Sequence, residues 1–390
     1  GFSGGLQALW KQNERANWEA SYAFDQYDKS EYRRLTKADV RHYSNVQNSL
    51  RLVYNLRFGA NDVLTLGADY LHDYLYNKKL EGKTREQNAF DAFAQYDWNI
   101  LQNLELVGAL RYDYFSDHHF SRMTPKVSLR YEPLAHMNLR LGYGMGFRAP
   151  TLKEKYYEYD MAGIWIVVGD PNLKAEVSHN LNLSAEYAKG GYNFTLNGYY
   201  NYITNKIATG APYLANPTDP IPHLSYINLA AHSVIGMEAA VQGHWRNGLS
   251  ARFAYTLTAE NLPRNKAGDR MSAPYISARK HSLMVHADWE HRFHKNFGMT
   301  LGIDGRYLSG VTNPEYIDYY DVSKGMRDIE YPGYTLWKFS AAGQFKKGVK
   351  VTLALDNLFN YRPKYYYLNS PLTDGINVML GVSIDVDKLF

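Results

Sequence analysis

The sequence predicts an all-β fold, a transmembrane antiparallel β-barrel with about 17 strands in this chain. Three observations predict it. Segments of strict apolar/polar alternation recur along the whole length, and a period of two with one wet face marks a strand that is apolar on one side only. Short and long links between these segments alternate, as they do in a barrel with tight turns at one end and loops at the other. Finally, 35 tyrosines help bring the aromatic fraction to 15% while the mean hydropathy is -0.47. Aromatic residues at an apolar-water boundary, with half of each strand polar, give that combination. No apolar run approaches the roughly 18 residues of a membrane helix. The longest, Ile164 to Val168, is a short strand at best.

The strands follow in order. Phe2, Leu6, Ala8 and Trp10 alternate with Ser3, Gln7 and Lys11; Trp18, Ala20, Tyr22 and Phe24 alternate with Glu19, Ser21 and Asp25. Leu50, Leu52, Tyr54 and Leu56 oppose Ser49, Arg51, Asn55 and Arg57, and Leu64, Leu66, Ala68 and Tyr70 oppose Thr65 and Asp69. Further strands are expected near 89–100, 103–115, 125–132, 137–147, 178–188, 191–203, 232–245, 249–259, 281–293, 297–308, 334–345 and 349–356. The last runs from Gly375, with Val378, Leu380, Val382, Ile384 and Val386 on one face and Asn377, Ser383 and Asp385 on the other. Tight turns such as Lys189-Gly-Gly191 and Arg246-Asn-Gly248 alternate with long links at 29–42, 73–87, 116–124, 148–177, 204–231, 260–280, 309–333 and 357–375. Tryptophans near strand ends, among them Trp10, Trp98, Trp245 and Trp289, suit an interfacial girdle.

The charge balance excludes other classes. The net charge of +4 comes from 43 basic and 39 acidic side chains without a basic tract, so no nucleic-acid partner is expected. Cysteine is absent, which removes disulfide and thiol chemistry. No nucleophile-base set, carboxylate pair, phosphate loop or metal-ligand spacing is present, so neither a catalytic site nor an intrinsic cofactor or metal is expected. Arg51, Arg57, Asp91, Arg111, Asp113, Arg130, Arg140, Arg252 and Asp304 fall on lumen-facing positions and are expected to form charge networks in the wall. Counting strands back from a last one that descends to the periplasm puts Gly1 on the extracellular side. A complete single-chain bacterial barrel has an even number of strands. The expectation is therefore that residues 1–390 are the carboxyl-terminal portion of a barrel, the remainder coming from a removed segment or a second chain.

Four motifs carry a family resemblance. Gly146-Phe-Arg-Ala-Pro150 tops one strand, Gly169-Asp-Pro-Asn-Leu173 follows about twenty residues on, Asp356-Asn-Leu-Phe-Asn360 precedes the last loop, and Phe390 ends the chain. Together they resemble the TonB-dependent outer-membrane receptors of the haem and siderophore type. The resemblance implies a bacterial outer-membrane location, a barrel of about 22 strands and an amino-terminal plug that this chain lacks along with the first strands. It also implies outer-membrane lipid, the TonB energy-transducing complex and a surface lipoprotein that hands over ligand as partners. The paired boxes Phe147, Arg148, Ala149, Pro150 and Asp170, Pro171, Asn172, Leu173 are similar to those of the haem branch. The second departs from it in reading Asp-Pro-Asn-Leu rather than Asn-Pro-Asp-Leu.

The implied function is energy-dependent uptake of haem or another iron chelate, which would be cargo and not a resident cofactor. A passive porin of 16 to 18 strands, or a receptor of the same class importing cobalamin, is the alternative. The best candidate ligand site is the link 148–177, where Tyr156, Tyr157, Tyr159 and Met161 could stack on or ligate an aromatic chelate. No histidine lies between the boxes, so a tyrosine would serve in its place. His118 and His119, adjacent in what reads as extended chain, and His223 and His232 are further candidates in other loops. Pro217, Pro220 and Pro222 around Asp219 read as loop stiffening.

Overall fold

A computed structural model describes residues 1–59, 61–80, 82–161, 163–210, 212–216, 218–219, 221–261, 277–318, 324–345, 348–364 and 373–386. Pro217, Pro220, Lys388 and Phe390 lie outside the described residues.

The first eight strands are β1 (Phe2–Lys11), β2 (Ala16–Arg33), β3 (Ala38–Phe58), β4 (Asp62–Asn77), β5 (Thr84–Leu101), β6 (Leu104–Phe115), β7 (Phe120–Tyr131) and β8 (Met137–Arg148). A five-residue helix, α1 (Leu152–Tyr156), and two short strands, β9 (Glu158–Met161) and β10 (Trp165–Val168), lead to β11 (Glu176–Lys189) and β12 (Tyr192–Thr204). Then come β13 (Ile207–Thr209), β14 (His223–Asn228), β15 (His232–His244), β16 (Leu249–Asn261), β17 (His281–His294) and β18 (Phe297–Leu308). The chain continues through β19 (Val311–Tyr316), β20 (Met326–Tyr331), β21 (Tyr334–Phe345), β22 (Val349–Asp356) and β23 (Asn377–Ile384). The wall is one 17-stranded antiparallel sheet: β1 to β8, then β11, β12, β15 to β18 and β21 to β23, each paired with the one before. Among the described residues β1 pairs only with β2 and β23 only with β22, so the sheet has two open edges.

One face of the wall is exposed and apolar, with Leu50, Phe90, Leu141, Leu183, Phe194, Leu380 and Val382 all standing out from it. Alternation puts the charged side chains on the opposite face. There Arg111 spans three carboxylates, with Asp91 at 2.7 Å, Asp113 at 2.9 Å and Asp69 at 3.2 Å, while Arg51 reaches Asp69 at 3.4 Å. Both guanidinium groups lie over the Phe93 ring, and that ring occupies the space a side chain at Gly67 would fill. Arg140 pairs with Glu186, and Asp304 with His286. A face this polar lines water, and the other faces lipid.

Buried apolar residues gather elsewhere, at the loop end. Leu75, Leu152, Val167, Leu173 and Leu224 are each 8% exposed or less, and burial of this kind stabilises by about 2 kcal/mol per side chain. The loops are therefore packed structures. Three links expected to be long are hairpin extensions: β2 and β3 pair as far as Arg33 and Ala38, β4 and β5 come within a few residues of each other at Asn77 and Thr84, and β7 starts at Phe120. Above the lipid both faces of a strand are wet, so alternation no longer announces it. His118 and His119 lie in a 3-10 turn, Asp117–His119, and not in extended chain.

At the opposite end the turns are tight. Gly248 closes one at φ +84, and a Cβ there would sit 1.9 Å from the Glu290 carbonyl oxygen. Gly248→Ala is expected to destabilise the β16–β17 region by about 1–3 kcal/mol, seen as a lower unfolding temperature of the heat-modifiable band on electrophoresis.

Candidate functional site: the packed loops at the barrel mouth

The links 148–177 and 204–231 fold together. β13, β14, β10 and β9 form a four-stranded sheet in that order, with β10 and β14 parallel and the other pairs antiparallel. Ile166 aligns with His223 and Val168 with Ser225, so two stretches far apart in sequence make one surface. α1 precedes this sheet and has a complete capping box: the Thr151 hydroxyl accepts from the Glu154 N–H, and the Glu154 carboxylate accepts from the Thr151 N–H.

The first box holds this assembly to the wall. Arg148 Nη1 donates to both Glu154 oxygens at 2.9 Å, and Nη2 donates to Glu176 Oε1 at 2.9 Å. The same Glu176 oxygen accepts the Ile207 N–H at 2.7 Å, which brings β13 into the network. Phe147 stacks on Phe120 at 5.3 Å and meets Phe115 edge-on at 5.6 Å. It stands where the wall is incomplete, because β7 and β8 pair only as far as Lys126 and Gly144. The next residue toward the mouth is Pro125, which has no N–H to continue the ladder. Ala149, Pro150, Pro171 and Leu173 line the resulting cleft, whose volume is ≈ 450 Å³.

The second box packs on the back of α1. Asp170 N donates to the Glu154 carbonyl, Gly169 N to that of Tyr157, and the Asp170 side chain accepts from Asn172 N. A side chain at Gly169 would collide with the Lys155 carbonyl, at 2.7 Å or less, so only glycine allows this approach. Asn228 closes the contact by accepting from Lys174 N and donating to the Lys174 and Asn205 carbonyls. Both boxes are thus packing devices that join two loops. The third motif also ends a strand: Asn357, at φ 54, holds the Tyr361 backbone through both ends of its amide.

The candidate ligand residues separate into groups. Tyr157 and Tyr159 stack at 5.3 Å, and Tyr157 packs on Tyr43 of the inner wall at 5.0 Å, with Tyr27 beyond it at 6.0 Å. Tyr156 turns away, with Arg85 over its ring at 5.0 Å and its hydroxyl 3.4 Å from Asp117. Met161 is exposed at the end of β9. His119 is hydrogen-bonded to Tyr114 on the rim at 3.0 Å. His223 lies against Tyr213, and His232 is buried beside Lys206 at the base of β15. The described contacts of His119, His223 and His232 are thus with Tyr114, Tyr213 and Lys206 rather than with Tyr156, Tyr157 or Tyr159. Among the described residues no group of three or more His, Asp or Glu could hold a metal ion.

Burial raises the phenol pKa values of Tyr156 and Tyr157, and pushes that of Tyr226 up to about 12 with help from the adjacent Tyr159 hydroxyl. These phenols stay protonated longer in the folded loops than in unfolded chain. The Tyr226 contribution is thus complete below pH 10 and is lost as pH rises from 10 to about 12. An alkaline titration followed by tyrosinate absorbance and loop proteolysis should show the loops opening in that window.

A single antiparallel wall with one lipid face, a charged opposite face and loops packed over one end is the wall architecture of an outer-membrane barrel. The chain matches the family described as "TonB dependent receptor-like, beta-barrel" over residues 2–358, and it belongs to that family. The iron-regulated outer membrane virulence protein of Vibrio cholerae is 24% identical over 338 residues, covering 83% of this chain and 49% of that protein. The ferric enterobactin receptor of Pseudomonas aeruginosa is 22% identical over 351 residues, covering 79% and 44%. The chain thus spans about half the length of the curated relatives it matches. Among solved structures, the FrpB iron transporter of Neisseria meningitidis superposes with a TM-score of 0.72 at 16% identity, covering 97% of this chain and 62% of that one. The ferric enterobactin receptor PfeA of P. aeruginosa gives 0.69 at 17%, covering 92% and 56%. The solved structures establish the barrel fold, and membership of the family gives the outer-membrane setting.

Proposed function

We propose that the protein is an importer of an iron complex, which the joined loops 148–177 and 204–231 capture at the extracellular mouth. The observation that carries this reading is the four-stranded loop sheet, which brings Tyr157 and Tyr159 onto the inner-wall Tyr43 above a charged lumen. The names of the relatives, iron-regulated and ferric enterobactin receptors, support transport rather than catalysis. Haem and other iron chelates fall within the reading; cobalamin, which carries cobalt, is the alternative cargo for the same class of receptor.

The open edges of β1 and β23 fit a barrel completed by further strands and a plug, in the same protein or another chain. Unpaired backbone groups in lipid cost several kcal/mol each. Passage through a plugged lumen would draw on the TonB complex, and a surface lipoprotein would suit ligand delivery at the mouth.

The test is uptake of labelled iron by iron-starved cells carrying or lacking the gene, supplied with haemin, ferric siderophores or cobalamin-bound label. Import that requires the gene and collapses with a protonophore supports the reading. Gene-independent uptake would overturn it, and steady ion conduction by the protein in planar bilayers would replace it with a passive pore.

A further inference from the structure

The tyrosines at the mouth form a continuous ladder that starts on the wall and ends on the loops. Tyr27 and Tyr43 lie on the inner face of the β2–β3 hairpin above the lipid, and Tyr43 aligns with Asn77, the last residue of β4. Tyr157 continues from Tyr43, and Tyr159 lies over Tyr157 with the two planes 18° apart. Lys153, one turn back on α1, places its ammonium over both rings, 5.5 Å from the Tyr157 centroid and 5.2 Å from that of Tyr159.

The charge balance there is one-sided. Glu158, between the two rings in sequence, is taken by Lys79 at 2.8 Å, and Glu154, next to Lys153, by Arg148 at 2.9 Å. Asp73 below the ladder accepts from the amides of Asn45 and Gln47. Among the described residues no carboxylate lies within ion-pair distance of Lys153, whose three N–H donors therefore have ring faces on one side and water on the other. A cation held over stacked rings and open to solvent is arranged to receive an anion that brings its own aromatic plane.

We propose that this ladder is the capture site for an anionic iron complex that presents an aromatic plane, with Lys153 meeting the negative charge, Tyr159 stacking on the aromatic plane, and Tyr157 and Tyr43 anchoring the stack to the wall. The proposal rests on the import reading above and narrows it. Two ligand chemistries present such a face: a ferric complex of aryl oxygens, and a carboxylated iron macrocycle. A neutral aliphatic hydroxamate complex presents neither ring nor charge.

The experiment measures binding to the protein purified in detergent from outer membranes, using a ferric tris-catecholate, haemin and a neutral ferric tris-hydroxamate as probes. The catecholate or haemin binds, and whichever does so identifies the source of the plane. Lys153→Gln and Tyr157→Leu each weaken it about tenfold, whereas Lys153→Arg and Tyr157→Phe keep affinity within about threefold. Those two conservative variants separate loss of the contact from collapse of the loop. Lys37→Asn, which removes an equal charge from an exposed hairpin turn, leaves affinity unchanged. Equal binding of the hydroxamate, or aromatic anions held undiminished by Lys153→Gln and Tyr157→Leu, overturns the proposal while import stands. No binding of any iron complex overturns the import reading together with it.

Discussion

Replacing Asp117 by alanine should release the α1 segment from the barrel rim at a cost of about 3–5 kcal/mol in local stability. Lys155 is only 4% exposed, and its ammonium pairs with the Asp117 carboxylate while lying 5.4 Å from the Tyr156 ring centroid. Asp117 belongs to the turn between β6 and β7, so this pair joins the loop assembly to a different hairpin from the one that supplies Arg148. Removing the acid leaves a buried ammonium without its counter-charge, and the segment must open to hydrate it. Lys155→Met on its own removes the ammonium but leaves the carboxylate the Tyr156 hydroxyl, and a carboxylate at the rim is easier to hydrate, so it should cost less. The double variant Asp117→Leu with Lys155→Met should recover much of the loss, because a well-packed apolar pair of similar volume can match a buried ion pair. Amide exchange at residues 152–157 reads the outcome: rates raised at least a hundredfold by Asp117→Ala and largely restored in the double variant. Unchanged exchange in the single variant would sink the idea.

The wall was legible in the sequence because lipid on one side and water on the other impose strict alternation. All 17 strands of the sheet lie where that alternation placed them. The same physics explains what alternation missed. Residues 29–42 lie largely above the lipid, where Glu31, Arg33, Asp39 and Arg41 can be solvated on either face, so the period vanishes although the hairpin persists. Pro125 was visible as a residue that cannot donate to a ladder, but only the pairing shows that it ends the β7–β8 contact and leaves the slot that Phe147 fills. In the loops, the Trp165–Val168 strand could be read locally. Its parallel pairing with His223–Ser225 could not, because nothing in either segment encodes a partner so distant in the chain. The tyrosines of 156–159 could be singled out by composition. Tyr27, Tyr43 and Lys153 could not, since they reach the same place from three different elements.

Arg148→Ala should uncouple the two loops that the tyrosine array depends on. The guanidinium is shared between Glu154 of α1 and Glu176 at the start of β11, and Glu176 passes the contact to Ile207 N at the start of β13. Charge-assisted bonds of this kind contribute about 1.5–3 kcal/mol each when shielded, and partial exposure of Arg148 reduces that. A net loss of about 2–3 kcal/mol is expected, enough to let the loop sheet separate without unfolding the wall. Arg148→Lys should rescue little, because a point charge cannot span two carboxylates as a planar fork does. In a double-mutant cycle, Arg148→Ala and Glu176→Gln should be strongly non-additive, both acting through the one bridge. The absence of cysteine makes the measurement direct: spin labels on Met161→Cys and Leu214→Cys, both exposed in the parent, report the distance between the loops. The distribution should be narrow in the parent, and broad and longer in Arg148→Ala, Arg148→Lys and Glu176→Gln alike. A narrow, unshifted distribution in Arg148→Ala would show that the apolar contacts of Leu152, Val167 and Leu173 hold the loops together without the arginine.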